Sequence, residues 1–193
     1  MLNSEYLSNL NENQREAVEC LDGPLLIVAG AGSGKTKVLT SRIAHIIKKN
    51  KAFPNQILAV TFTNKAAKEM QLRVSKLLRK DATGLPWLGT FHSISAKLLR
   101  KHADAVGLKS NFSIIDQDDQ VRLIKNICKA ENVDIKKISP KFILAIIDKW
   151  KNKGFYPQDV ILKRKDPLEK NFLSIYKIYQ EKLVNLNSAD FSD

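Results

Sequence analysis

Cysteine is nearly absent from this 193-residue chain: only Cys20 and Cys128 occur, far apart. Two isolated cysteines build neither a disulfide framework nor a four-ligand zinc site. They suit a reducing compartment, so a cytoplasmic protein is expected. Long apolar runs are missing too. None approaches the ~20 residues that a membrane helix needs, and no membrane partner is expected. The opening MLNSEYLSNLNENQ is polar, with no basic stretch leading into an apolar one, so no secretory signal is expected. There is no internal repeat and no low-complexity tract. Hydrophobic content of 44% and charged content of 27% exclude wholesale disorder and fibrous repeats. The length suits one domain, or one domain with a small appendage.

Acidic residues are the remaining deficit: 20 Asp+Glu stand against 32 Lys+Arg, a net charge of +12. Residues 1–116 hold 17 basic and 9 acidic side chains, residues 117–187 hold 15 and 9, and only the last six residues are net negative. An excess of this size suggests a polyanionic partner, nucleic acid before an anionic membrane surface. A solvated, lysine-rich surface explains the charge equally well.

What is present is organised in two parts. In the first, short apolar runs alternate with helical spacing. Asn11–Leu21, Lys35–Lys49, Lys65–Leu78 and Ser93–Val106 read as helices, the last ended by Gly107. Leu25–Ala29, Ile57–Phe62, Trp87–Thr90 and Phe112–Ile115 read as short buried strands. Alternation of this kind predicts a parallel α/β sheet. After Asp116 the strands cease. Gln120–Ala130, Pro140–Lys151 and Leu168–Leu186 read as helices, with Asp116, Ser139 and Asp166 placed to cap them or start the preceding turns.

The strongest chemical signal is Ala29-Gly30-Ala31-Gly32-Ser33-Gly34-Lys35-Thr36, between an apolar run and a helix. This is the setting of a phosphate-binding P-loop. Glycine lets the backbone turn tightly and aim its N–H groups at phosphate oxygens, and the helix start adds the positive end of its dipole. Lys35 would reach the β- and γ-phosphates, and the Thr36 hydroxyl would ligate Mg²⁺. Ala29 stands where the strict pattern has Gly. By itself the loop does not choose between kinase, GTPase, transporter ATPase and helicase.

Several blocks, in order, resemble the UvrD/Rep/PcrA helicases of superfamily 1. Leu10–Val18 is similar to the Q motif, and Ala29–Thr40 to motif I. Val60–Met70 (VTFTNKAAKEM) is similar to motif Ia, and Gly89–Ser93 (GTFHS) to the following block. Asp116, Asp119 and Gln120 resemble the entry to the family's helical insertion, and Trp150–Pro157 a segment within it. The resemblance implies a P-loop, RecA-like parallel sheet, incomplete here, with an all-helical insertion. Residues 1–116 would form the first part of domain 1A, 117–187 subdomain 1B, and 188–193 the start of the return to 1A.

It also implies an ATP-dependent 3′-to-5′ DNA helicase that translocates on single-stranded DNA and unwinds duplex at junctions, with ATP and Mg²⁺ as cofactors. Accessory repair proteins are conceivable partners. By motif position Gln14 would hydrogen-bond the adenine edge and Arg15 would lie beside the nucleotide. Residues 29–36 would cradle the phosphates. Lys37 stands where the family usually has Arg, and keeps the charge without the planar fork.

The residues themselves suit single-stranded DNA. Phe62 ends a strand, where an aromatic ring can stack on a base. Thr61, Thr63, Asn64 and Lys65 offer donors to phosphates. Thr90 and His92 flank Phe91 at the end of the next strand, with core packing and DNA contact both open for Phe91. Lys149, Lys151 and Lys153 flank Trp150. Trp150 is expected in the core, with the lysines solvated or against duplex DNA.

No Asp-Glu dipeptide occurs in the sequence, although such an ATPase needs an acidic pair on Mg²⁺ and the attacking water. Asp116 ends an apolar run and is the alternative metal ligand, but no Glu follows it. Asn187–Asp193 (NSADFSD) resembles the segment just after the insertion. The expectation is an N-terminal helicase fragment that binds ATP and single-stranded DNA with little turnover. A non-catalytic ATP and DNA-binding module, or an unrelated P-loop kinase, are the alternatives.

Overall fold

In a computed structural model the structure describes residues 5–78, 84–135, 137–161 and 167–193, so the expected cap at Asp166 lies outside the described residues. The chain divides into two compact units, residues 1–96 and 97–193.

The first unit begins with a short helix α1 (Glu5–Ser8) and α2 (Glu12–Glu19). Asn11 and Gln14 form a reciprocal capping box at the start of α2: each side chain accepts from the other's backbone N–H, at 2.9 and 3.2 Å. Helix α3 (Lys35–Lys48) buries Val38, Ile43 and Ala44 on one face, the stripe that its 3.6-residue spacing predicts. Strand β1 (Ala59–Thr61) leads into α4 (Asn64–Leu78) and then β2 (Leu88–Thr90). Strands β1 and β2 pair in parallel, with α4 as the crossover between them. Ile43, Ala59, Met70, Val74 and Leu85 form the core shared by α3, α4 and β1.

One expected strand is not formed. Leu25–Ala29 makes no ladder among the described residues, and Leu26 and Val28 are each 86% exposed. A parallel strand of this apolar character is stabilised by neighbours that cover its faces and pair its backbone. Here the face that carries Leu26 and Val28 is uncovered and the backbone has no ladder partner among the described residues.

The second unit starts within α5 (Phe91–Lys101). The helix gives way to a 3₁₀ turn at Ala103–Val106, which Gly107 ends at φ 75°. Strand β3 (Ser113–Ile114) follows. Asp116 is the N-cap of α6 (Gln117–Ala130), its carboxylate accepting from the Asp119 N–H at 2.9 Å. Ser139 caps α7 (Pro140–Lys151), which has Pro in its first turn. Helix α8 (Pro167–Asn185) leads to β4 (Ser188–Ala189), which pairs in parallel with β3. The three helices enclose a core that includes Ile124, Ile127, Ile143, Ile147, Tyr176 and Tyr179. Trp150 packs against that core as expected, its ring stacked on Tyr176 at 5.8 Å between centroids.

Lys151 departs from expectation. Its side chain is 3% exposed and pairs with Asp190 at 2.7 Å and Asp193 at 2.6 Å. Tyr179 donates its hydroxyl to Asp190 at 2.8 Å, and the N–H groups of Ser192 and Asp193 donate to the other Asp190 oxygen. Gln180 donates to Asp193, and the Ser192 hydroxyl to Asp148. Burial pushes the Asp148 carboxyl above its ordinary value, against the Ser192 hydrogen bond, which favours the charged form. The lysine that the sequence places in solvent or on DNA is therefore the centre of a buried network, while Lys149 and Lys153 stay exposed. Lys151→Met should cost about 3–5 kcal/mol, since it strands the fully buried Asp190 carboxylate and removes the cation from Asp193. Urea unfolding of the full chain checks this, and an unchanged midpoint would refute it.

Candidate functional site

The loop after Ala29 is built from its own hydrogen bonds. The Ser33 hydroxyl donates to the Gly30 carbonyl at 2.7 Å. Gly32 and Gly34 sit at φ 76° and 85°, where an L side chain is strained. Gly34 is also the N-cap of α3, with no side-chain cap bond. The first N–H groups of α3 thus keep no intrahelical partner, and they carry the positive end of the helix dipole. Lys35 extends from the first helical position, its ammonium donating to the carbonyls of Ala29 and, at 2.9 Å, Gly30. Thr36 is exposed beside it, its carbonyl accepting from the Thr40 hydroxyl at 2.9 Å. Gly30 and Ala31 are exposed at the turn.

The Q-motif residues meet this loop. Gln14 donates its amide to the Ser33 carbonyl at 3.0 Å while its oxygen stays in the capping box. Arg15 donates to the Leu7 carbonyl at 3.2 Å, and Lys37 to the carbonyl of Asn9. The structure therefore brings Gln14, the glycine loop, Lys35 and Thr36 into one site, with Arg15 and Lys37 tied to the segment before α2.

The candidate DNA residues lie at the ends of the two paired strands. Register matches Thr61 with Thr90, so the next residues, Phe62 and Phe91, emerge side by side. Their ring centroids are 5.3 Å apart and tilted by 48°. Phe62 is 87% exposed and Phe91 47%. Sequence reasoning left Phe91 open. The missing signal was the register, which no spacing within one segment reveals. Thr63, Asn64, Lys65 and His92 are all exposed around this pair. The Thr63 hydroxyl accepts from the Ala66 N–H at 3.2 Å, at the start of α4. Thr90 differs: it is 7% exposed, and its hydroxyl accepts from the Ser93 N–H at 3.2 Å while the Ser93 hydroxyl returns to the Thr90 carbonyl at 2.9 Å. Its side chain holds the β2–α5 turn.

No cluster of His, Cys and carboxylates capable of holding a metal occurs among the described residues. Thr36, at the helix start, is the residue suited to a Mg²⁺ that arrives with a nucleotide.

A glycine-rich loop on a helix start and a parallel strand pair whose ends carry exposed aromatics define a mixed helix and strand protein. The UvrD/REP helicase N-terminal domain model matches residues 10–193, and the chain belongs to that family. It is 47% identical over 196 residues to a probable DNA helicase II homolog of Rickettsia conorii, covering 100% of this chain and 30% of the relative. It is 44% identical over 187 residues to the ATP-dependent DNA helicase PcrA of Staphylococcus epidermidis, covering 97% and 26%. The PcrA of Leuconostoc citreum is 43% identical over 190 residues, covering 98% and 25%. The chain thus spans 30% or less of the length of these relatives.

Gly34 gives a test of the site's geometry. A Cβ there would lie 2.9 Å from the Gln14 amide nitrogen, at a positive φ. Gly34→Ala should therefore destabilise the chain by about 1–2 kcal/mol and break the Gln14–Ser33 contact. Thermal unfolding measures the first effect and the Gln14 side-chain amide resonance the second. A variant matching the parent in both would contradict the geometry.

Proposed function

We propose that this chain is the ATP-binding portion of an ATP-dependent DNA helicase that moves 3′ to 5′ on single-stranded DNA and unwinds duplex. The observation that carries the reading is the uncapped start of α3 behind a glycine loop, with Lys35 and Thr36 in the first turn. Family membership and relatives named as ATP-dependent DNA helicases support it. Mg-ATP would bind with its phosphates on residues 29–36, Lys35 on the β- and γ-oxygens and Thr36 on the metal. Gln14 would read the adenine edge, with Arg15 and Lys37 beside the nucleotide. When bound, Mg²⁺ neutralises charge on the phosphates. The chain's own residues orient them: the ammonium of Lys35 exchanges its two loop carbonyls for phosphate oxygens, which bind it more strongly as ionised acceptors.

Single-stranded DNA would cross the ends of β1 and β2, bases against Phe62 and Phe91, phosphates on Thr63, Asn64, Lys65 and His92. The buried hydroxyl of Thr90 fits a role in shaping that surface better than direct contact. We assign residues 1–116 to the first part of a RecA-like domain 1A, 117–187 to subdomain 1B and 188–193 to the return. Support comes from β3 and β4, which pair with each other although the three-helix segment separates them in sequence. The 193 residues would bind nucleotide with little hydrolysis. Asp116, the alternative metal ligand, has its carboxylate engaged in capping α6.

Lys35→Ala should abolish Mg-nucleotide binding, and an unchanged titration would defeat the assignment. Phe62→Ala should weaken oligothymidine binding by ~1–3 kcal/mol, and parent affinity would fall as salt rises. Equal affinity of Phe62→Ala and parent would count against stacking.

A further inference from the structure

Helix α1 has only four residues. A helix that short is not stable alone, so its place depends on what its side chains touch. Leu7 packs on the small cluster of Leu10, Val18 and Val38. Tyr6 makes the specific contact. Its hydroxyl lies 2.6 Å from Nδ1 of His45, and the two rings approach to 5.9 Å between centroids. The Lys48 ammonium lies 4.2 Å over the Tyr6 ring. His45 is on the buried face of α3, the helix whose other end carries the glycine loop. A neutral imidazole and a neutral phenol make such a contact, one donating and the other accepting. The surroundings favour both. Burial, then Lys49 and Lys48, push the His45 imidazole below its ordinary value against an opposing pull from Glu19. Burial and Glu19 push the Tyr6 hydroxyl up.

The stretch that follows Tyr6 has an unusual duty. The Leu7 carbonyl accepts from Arg15, and the Asn9 carbonyl accepts from Lys37. The two cations beside the nucleotide loop are thus both held by the backbone of residues that α1 anchors. Among the described residues neither pairs with a carboxylate.

We propose that Tyr6 and His45 form a latch that positions Arg15 and Lys37 at the nucleotide loop by fixing the backbone of residues 7–9. This rests on the reading of residues 29–36 as the nucleotide loop. Tyr6 and His45 are positioning residues. They touch no ligand and act through two main-chain carbonyls. The latch links the buried face of α3 to the exposed charges around its N-terminus without passing through the loop itself.

The test uses the full chain and three variants. Tyr6→Phe keeps the ring and removes the hydroxyl. His45→Asn keeps an acceptor and a donor near Nδ1 and removes the ring. Lys35→Ala is the control for the loop. The probes are a fluorescent ATP analogue with Mg²⁺, amide hydrogen exchange over residues 7–10, and the Arg15 Nε–Hε resonance. Loss of one neutral hydrogen bond corresponds to about a fivefold effect. Tyr6→Phe should therefore weaken nucleotide binding about fivefold, speed exchange over residues 7–10, and move the Arg15 resonance toward its solvent position. His45→Asn should retain most of the parent's affinity, which a general loss of packing would not permit. If Tyr6→Phe binds nucleotide like the parent while Lys35→Ala does not, the latch is wrong and the loop reading stands. If Lys35→Ala binds like the parent, the loop reading fails. The latch then stands or falls on exchange and the Arg15 resonance, which must still respond to Tyr6→Phe.

Discussion

Helix α3 starts at a glycine in the left-handed region, and no side chain caps it. Much of the first unit follows from that one constraint. A positive φ at Gly34 lets the chain turn from the loop into the helix without a Cβ in the way. The place a Cβ would take is instead close to the Gln14 amide, which crosses to the Ser33 carbonyl. The first-turn N–H groups are left for whatever the loop encloses. Farther along the same helix, Val38 meets Val18 of α2, Ile43 joins the core with α4, and His45 meets Tyr6. One helix therefore sets the loop, the Q-motif residues, the crossover helix and the N-terminal segment. At the other end of α2, Arg42 of α3 donates to the Ala17 carbonyl at 2.7 Å and to that of Cys20, satisfying carbonyls that the helix end exposes.

The parts readable from sequence are those decided within a few residues. Helix α7 spans Pro140–Lys151 as its spacing implies, because Ser139 and Pro140 fix its start locally. The glycine loop is local in the same sense. Strands are less readable, since a strand exists only with its partner. Ile57–Phe62 shortens to Ala59–Thr61, the stretch that β2 reaches. Leu25–Ala29 has strand composition and no ladder. The aromatic pair was half visible: Phe62 stood out by position, but the place of Phe91 depends on the parallel register. At Thr90 residue type decides little, since a hydroxyl at a strand end serves a helix start as readily as a phosphate.

Lys151 is the sharper case. Lysine among lysines reads as solvated surface, and two of the three in that stretch are exposed. The third is buried because its partners, Asp190 and Asp193, lie 39 and 42 residues away. The network also answers a structural difficulty. The β3–β4 ladder has only two registered pairs, Ser113 with Ser188 and Ile114 with Ala189. So short a ladder holds little by itself. The residues just after it are fixed by charge and hydrogen bonds instead: Asp190 takes Lys151 of α7 and Tyr179 of α8, and Asp193 takes Lys151 and Gln180. An apolar anchor would bury as much, but would not dictate which residues meet. A carboxylate that must satisfy both an ammonium and a phenol tolerates few alternatives, since an unpaired buried charge costs several kcal/mol. The ion pairs therefore select the register in which the segment after α8 returns, and the two-residue ladder follows from that selection.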